Sequence, residues 1–164
     1  MYPTGLLHYL KHVLYLNYIG LLAISAYCNL FLCLLLGRLL MLELEGLTVV
    51  VDRVIYQPDM ATPEDRPHCF AYFITIHNNS NKTVTIKGRK WVVDEASGKK
   101  TVVEGDGVVG LFPELKPCET FDYHSFHLFG GKWAVAKGSY IGIDDDGNTV
   151  VTRIPEFRMD VPIS

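Results

Sequence analysis

Residues 70–81 read F-A-Y-F-I-T-I-H-N-N-S-N, and their pattern is that of a β-strand followed by a turn. The large apolar side chains fall on every second residue from Phe70 to Ile76. A period of two is typical of a strand with one buried face. The Asn and Ser residues at 78–81 favour a turn, so we expect the strand to end at His77.

Six more segments after residue 46 have the composition of short strands. They are rich in β-branched and aromatic residues and are bounded by Gly, Pro, Asn or Asp. Their predicted bounds are 47–56, 83–93, 100–104, 120–126, 139–143 and 149–154. No amphipathic helix of three turns is predicted after residue 46. Seven short strands in about 120 residues are typical of an antiparallel β-sandwich.

The predicted strand at 83–93 contains a conflict in its alternation. Val84 and Ile86 belong on one face, whereas Trp91, at an odd separation from them, belongs on the other. If all of these side chains are buried, one extra residue must be absorbed as a β-bulge, and Gly88 is the least costly place for it. We expect Trp91 to be a core residue between the sheets. The turn that follows then joins this strand to the next as a hairpin.

The first 40 residues differ in composition from the rest of the chain. Lys11 and Arg38 are their only charged side chains, and residues 13–36 form an apolar run. As a helix rising about 1.5 Å per residue, this run is long enough to cross a bilayer core of about 30 Å. Two interpretations stay open: a single transmembrane helix, or an upstream extension with the true start at Met41. The membrane is a partner only in the first case, in which the helix tethers an otherwise cytoplasmic domain.

The remaining residues carry 13 of the 15 basic and all 18 acidic side chains, a net charge of −5. A mildly acidic domain lacks the basic patch of nucleic-acid-binding proteins, so we expect no nucleic-acid partner. The four cysteines form no C-x-x-C pair. This spacing argues against a zinc site and a disulfide framework, and reduced thiols indicate a cytoplasmic protein. We expect no cofactor.

One glycine pattern matches a phosphate-binding motif. Gly105, Gly107 and Gly110 fall in the G-x-G-x-x-G spacing, which lets a backbone approach a phosphate closely. In a dinucleotide-binding fold a helix follows these glycines, but Pro113 follows here and no helix can form. A glycine-rich loop between strands remains, either a plain chain reversal or a backbone cradle for an anion. If the bulge at Gly88 turns Arg89 or Lys90 toward the loop, a guanidinium or ammonium group could lie beside a bound phosphate.

Other candidate sites carry weaker signals. Asp144–Asp146 lacks the further ligands of a calcium loop and is expected to form a hairpin turn. His124 and His127 lie three residues apart on a strand, so their side chains point to opposite faces and do not form a metal pair. Cys118 has no basic neighbour in sequence that would activate its thiol. We recognise no nucleophile with an activating base, and we expect neither catalytic residues nor a metal site.

Six motifs follow one another along the chain. They are FAYFITI (70–76), RKW (89–91), GDGVVG (105–110), PCETFDY (117–123), GSY (138–140) and IPEFRM (154–159). In this order they resemble the ApaG domain family, over residues 44–162. The resemblance implies a fibronectin type III-like or immunoglobulin-like β-sandwich without an established enzymatic activity. It also implies that Gly105, Gly107 and Gly110 bind pyrophosphate or nucleotide phosphates.

The resemblance further implies a protein-interaction role, as in eukaryotic F-box and polymerase-interacting members, and an association of bacterial members with cobalt and magnesium efflux. The favoured interpretation is a non-catalytic binding domain that contacts a protein partner or a phosphate-bearing ligand through the glycine-rich loop. The alternative is an enzyme that acts on pyrophosphate or nucleotides. A single apolar helix without acidic residues cannot conduct a divalent cation, so any link to cobalt or magnesium homeostasis is indirect.

The sequence departs from the family pattern at one turn. Pro117-Cys118-Glu119 stands where a Pro-Gly-Glu step is usual. Cysteine disfavours positive φ, so the substitution restricts the conformations that this turn can take.

Overall fold

The computed structural model describes residues 42–163. In this range the chain forms nine β-strands and no helix, and therefore no helix that could span a membrane. The strands are β1 (Leu42–Glu43), β2 (Leu47–Tyr56), β3 (His68–Asn78), β4 (Val84–Glu95), β5 (Lys100–Asp106), β6 (Glu114–Leu115), β7 (Glu119–Phe129), β8 (Trp133–Asp144) and β9 (Thr149–Asp160). The predicted helix at 13–36 and the proposed start at Met41 lie outside the described residues.

The seven long strands correspond to the seven predicted ones, and the all-β class is confirmed. Most of them extend beyond the predicted bounds, and β8 and β9 do so furthest. β8 begins at Trp133 rather than at residue 139. Its first buried residues are Ala134 and Ala136, whose small side chains give little hydrophobic signal in the sequence. β9 continues past Pro155, where its register against β8 shifts. A bulge tolerates proline because a ladder hydrogen bond is already missing there.

The strands form two sheets that share one core. The larger sheet has the order β1-β9-β8-β4-β5, with β6 also paired to β4, and the smaller has the order β2-β3-β7. β1 and β9 are parallel, whereas the other pairs are antiparallel. Buried side chains of both sheets form a single cluster that includes Trp91 and Tyr140 from the larger sheet and Ile74 and Phe129 from the smaller. The architecture is that of a β-sandwich in which β5 and β7 are edge strands.

The predicted β-bulge in β4 is confirmed, displaced by one residue. The register of β4 against β8 shifts between Ile86 and Gly88, so Lys87 is the extra residue. Ile86 and Trp91 are both buried, as the alternation requires. Beyond the bulge the inward side of β4 passes to odd-numbered residues, which places Arg89 on the same side as Trp91.

Candidate functional site

The glycine stretch leaves the edge of the larger sheet and returns to it. β5 and β6 pair with the same edge of β4, and residues 107–113 run between them. Hydrogen bonds anchor both ends of this segment, which we name the edge loop. The Gly107 N–H donates to the Lys87 carbonyl over 2.8 Å, and the Ile86 N–H donates to the Pro113 carbonyl over 3.0 Å. The edge loop is therefore tied to the bulge and its neighbours in β4.

A tight turn forms the tip of the edge loop. The Val108 N–H donates to the Leu111 carbonyl over 2.7 Å, and the Leu111 N–H donates back to the Val108 carbonyl over 3.0 Å. The two central residues, Val109 and Gly110, have φ values of 50° and 80°, as in a type I′ turn. Glycine suits this region, but a β-branched residue is unusual there, because left-handed backbone costs about 1–2 kcal/mol.

The three glycines of the motif serve different purposes. Gly107 has a φ of 54°, and a Cβ there would lie 2.0 Å from the Leu111 carbonyl oxygen. Gly110 has a positive φ but open space around it, and a Cβ on Gly105 would lie 3.1 Å from the Arg89 guanidinium. Backbone geometry accounts for Gly107 and Gly110, as a chain reversal requires. The Gly107 N–H is already bonded to protein, so it is not free to bind an anion.

Of the two basic residues beside the bulge, Arg89 is the one that turns toward the glycine stretch. Its Nη1 donates to the carbonyls of Asp106 and Gly107, at 2.9 and 3.2 Å. Lys90 points the other way and pairs with Glu104, with Nζ 2.7 Å from Oε1. Arg89 thus braces the junction between β5 and the edge loop, and its role toward a phosphate stays a prediction.

The outer surface of the edge loop is apolar, a feature not predicted from the sequence. Val109, Leu111 and Phe112 are 52%, 59% and 53% exposed, whereas Val108 is fully buried and anchors the loop in the core. We call the three exposed side chains the loop patch. The sequence signal for it is the apolar run V-V-G-L-F, because its glycine and the Pro113 that follows favour a turn in which apolar side chains lie outside a sheet.

The two histidines of β7 face opposite sides, as predicted. His124 is exposed, and His127 is buried against Tyr72 and Trp91, with ring centroids 4.7 and 4.9 Å away. Burial lowers the pKa of His127 to about 4, so the ring is neutral at pH 7. Within residues 42–163, no three His, Cys, Asp or Glu side chains are grouped so as to hold a metal ion.

Two turns elsewhere bear on the remaining candidates. The Asp144 carboxylate accepts the Asn148 N–H over 2.7 Å and closes the turn between β8 and β9, as predicted. Cys118 has a φ of 68°, and the Glu119 N–H donates to the Lys116 carbonyl over 3.0 Å. The disfavoured positive φ is therefore adopted, in a turn where glycine is the usual residue.

Known proteins resemble this chain in both sequence and structure. The sequence profile of the ApaG domain matches residues 58–143. Protein ApaG of Vibrio cholerae is 40% identical over 107 residues, which are 65% of this chain and 85% of that protein. Protein ApaG of Nitrosomonas europaea is 40% identical over 110 residues, 67% of this chain and 87% of that one. Among solved structures, the Bordetella pertussis protein named ApaA is 28% identical with a TM-score of 0.66, covering 75% of this chain and 99% of that chain.

Proposed function

This chain belongs to the ApaG domain family, and we propose that it is a non-catalytic interaction domain on a fibronectin type III-like framework. It contacts a protein partner through the edge loop. The observation that carries this proposal is the loop patch, in which Val109, Leu111 and Phe112 are each more than half exposed. Contiguous exposed apolar side chains mark interaction surfaces on soluble domains.

Backbone strain at the loop tip supports the same function. Val109 keeps a positive φ of 50° where asparagine or glycine would be unstrained. Strained residues persist where the surrounding structure or a function requires them. The buried Val108 side chain and the hydrogen bonds donated by Arg89 hold the turn in place. The turn therefore presents the loop patch in one geometry, which lowers the conformational entropy lost when a partner binds.

The experiment compares capture of proteins from the source organism by the full chain and by variants. L111K and F112K place a charge on the loop patch, and V50K does so at a similarly exposed valine of β2. We expect both loop variants to lose a partner that the V50K variant retains. Equal capture by all three variants would overturn the proposal.

A phosphate-bearing ligand, pyrophosphate or a nucleotide phosphate, is the second candidate. The residues proposed for it are Gly105, Gly107, Gly110 and Arg89, of which Gly107 contributes no N–H donor because its N–H is bonded to the Lys87 carbonyl. Its support is the position of the Arg89 guanidinium beside Gly105 and the exposed backbone of Gly110. Titration of the labelled full chain with pyrophosphate tests it, through the amide signals from residue 105 to residue 110. Unmoved signals would dismiss this ligand at the loop.

The competing class is an enzyme that acts on pyrophosphate or nucleotides. Turnover by the full chain, with and without magnesium, distinguishes the two classes, and we expect none above the buffer rate. A link to cobalt or magnesium homeostasis is proposed as indirect, through the protein partner. We place the domain in the cytoplasm, because Cys69 and Cys118 are free thiols.

A further inference from the structure

A recess lies between the two edge strands β5 and β7, where the sheets of the sandwich separate. It has a volume of about 210 Å³. Arg89 and Trp91 reach it from β4, His127 from β7, and Arg66 from the connection between β2 and β3. It is distinct from the loop patch. Arg89, which lines the recess, also donates to the Gly107 carbonyl at the start of the edge loop.

Three buried side-chain nitrogens that make no hydrogen bond in the described part of the chain belong to residues that line this one recess. Arg66 Nε, Trp91 Nε1 and His127 Nε2 are the buried side-chain nitrogens that lack a hydrogen-bond partner within residues 42–163. Trp91 is 1% exposed and His127 is 7% exposed. An unsatisfied buried polar group is rare in folded proteins, and native structures usually have a reason for each one. Their concentration at one recess indicates that it receives polar atoms from a ligand.

The charge of the recess defines the chemistry of that ligand. Its lining includes the guanidinium groups of Arg66 and Arg89 and no carboxylate, although the domain as a whole is acidic. Asp65 forms an ion pair with Arg66, over 3.5 Å to Nε, but the Asp65 side chain is 70% exposed and is not part of the recess lining. An indole N–H and guanidinium groups only donate hydrogen bonds. Converging donors with positive charge suit an oxyanion.

A second concave surface makes a useful contrast. It lies beside the bulge and is lined by Arg89 and Lys90 but also by Glu104 and Asp106. Two carboxylates repel an anion, so the inter-sheet recess is the better anion site.

We propose that the recess binds a small oxyanion, a carboxylate or phosphate group. Arg66 and Arg89 supply the charge, and the Trp91 indole supplies an oriented N–H. The proposal rests on the proposed function in one respect, that the domain binds its ligand without converting it. Trp91 Nε1 and His127 Nε2 are shielded from solvent. An incoming oxyanion therefore displaces side chains at the mouth, where Val103 and Phe126 are 39% and 51% exposed.

The indole N–H signals of the ¹⁵N-labelled full chain provide the test. The chain has two tryptophans, and Trp133 lies outside the recess. Inorganic phosphate and acetate are titrated separately, with ionic strength held constant by chloride. We expect a saturable shift of the Trp91 indole signal with at least one of the two anions, while the Trp133 signal stays in place.

Paired variants separate the recess from general charge effects. R66Q should weaken the affinity about tenfold, the loss expected for one charge-assisted hydrogen bond. K99Q removes the same charge from an exposed turn and should leave the affinity unchanged. If the spectrum of R66Q loses its dispersion, that variant has not folded, and R66K is titrated in its place. R66K keeps the positive charge and removes the Nε–H.

Three results would overturn the proposal. A shift confined to the amides of residues 105–110 would place the anion on the edge loop and leave only the phosphate function above intact. Equal shifts of both indole signals would indicate a general salt effect. An unmoved Trp91 signal in both titrations would mean that the recess holds water and no anion, and the protein-binding function of the loop patch would not be affected.

Discussion

Replacement of Gly107 by alanine tests whether backbone geometry sets the glycine spacing. The new Cβ would lie 2.0 Å from the Leu111 carbonyl oxygen, at a φ of 54°. The left-handed backbone costs alanine about 1–2 kcal/mol. Moving the oxygen away breaks its 2.7 Å bond from the Val108 N–H, a further loss of about 0.5–1.5 kcal/mol. The lower entropy of the unfolded variant offsets about 0.4–1 kcal/mol. We expect a net destabilisation of about 2 kcal/mol.

Urea unfolding followed by tryptophan fluorescence measures this loss, as a lower midpoint at unchanged slope. Gly110→Ala is the matched control, because Gly110 has a φ of 80° but no atom within 4 Å of a new Cβ. We expect it to lose about 1 kcal/mol, from the backbone term alone. Gly105→Ala meets only the movable end of Arg89 and should lose least. Equal midpoints for Gly107→Ala and Gly110→Ala would refute the geometric explanation.

Three further predictions concern other parts of the sandwich. Cys118→Gly should stabilise the chain by about 0.5–1 kcal/mol in urea unfolding, because glycine removes the strain at a φ of 68°, whereas Cys118→Ala should bring no gain. Asn78→Ala should cost about 3 kcal/mol, because its buried Nδ2 donates to two backbone carbonyls at 2.7 and 2.8 Å; the exposed Asn79→Ala serves as its control. Stability should fall by up to about 3 kcal/mol as the pH drops from about 6.5 to 4, because the unfolded chain binds a proton that buried His127, with its pKa lowered to about 4, does not. His127→Gln should remove that part of the pH dependence, and an unchanged slope in this variant would contradict the assignment.

The strands could be predicted where large side chains mark the buried face. Alternation from Phe70 to Ile76 was enough to find β3, and the broken alternation around Ile86 and Trp91 located the bulge to within one residue. The prediction was too short at the start of β8. There the buried positions are alanines, whose small side chains give little hydrophobic signal.

The candidate site was predictable only in part, because its chemistry depends on tertiary contacts. The glycine spacing located the edge loop, but it did not indicate that the Gly107 N–H is bonded to Lys87. The recess was not predicted at all. Arg66, Trp91 and His127 come from separate parts of the chain, and their meeting depends on how the edge strands of the two sheets lie.

Site-specific photo-crosslinking tests most directly whether the edge loop contacts a protein. Benzoylphenylalanine replaces Phe112 in the full chain, and in a control it replaces Val50, a residue of β2 that is also exposed. We predict a discrete crosslinked species from position 112 that is absent from position 50 and is lost when L111K is added. No crosslinked species at position 112, or the same species from both positions, would contradict a protein-binding role for the edge loop.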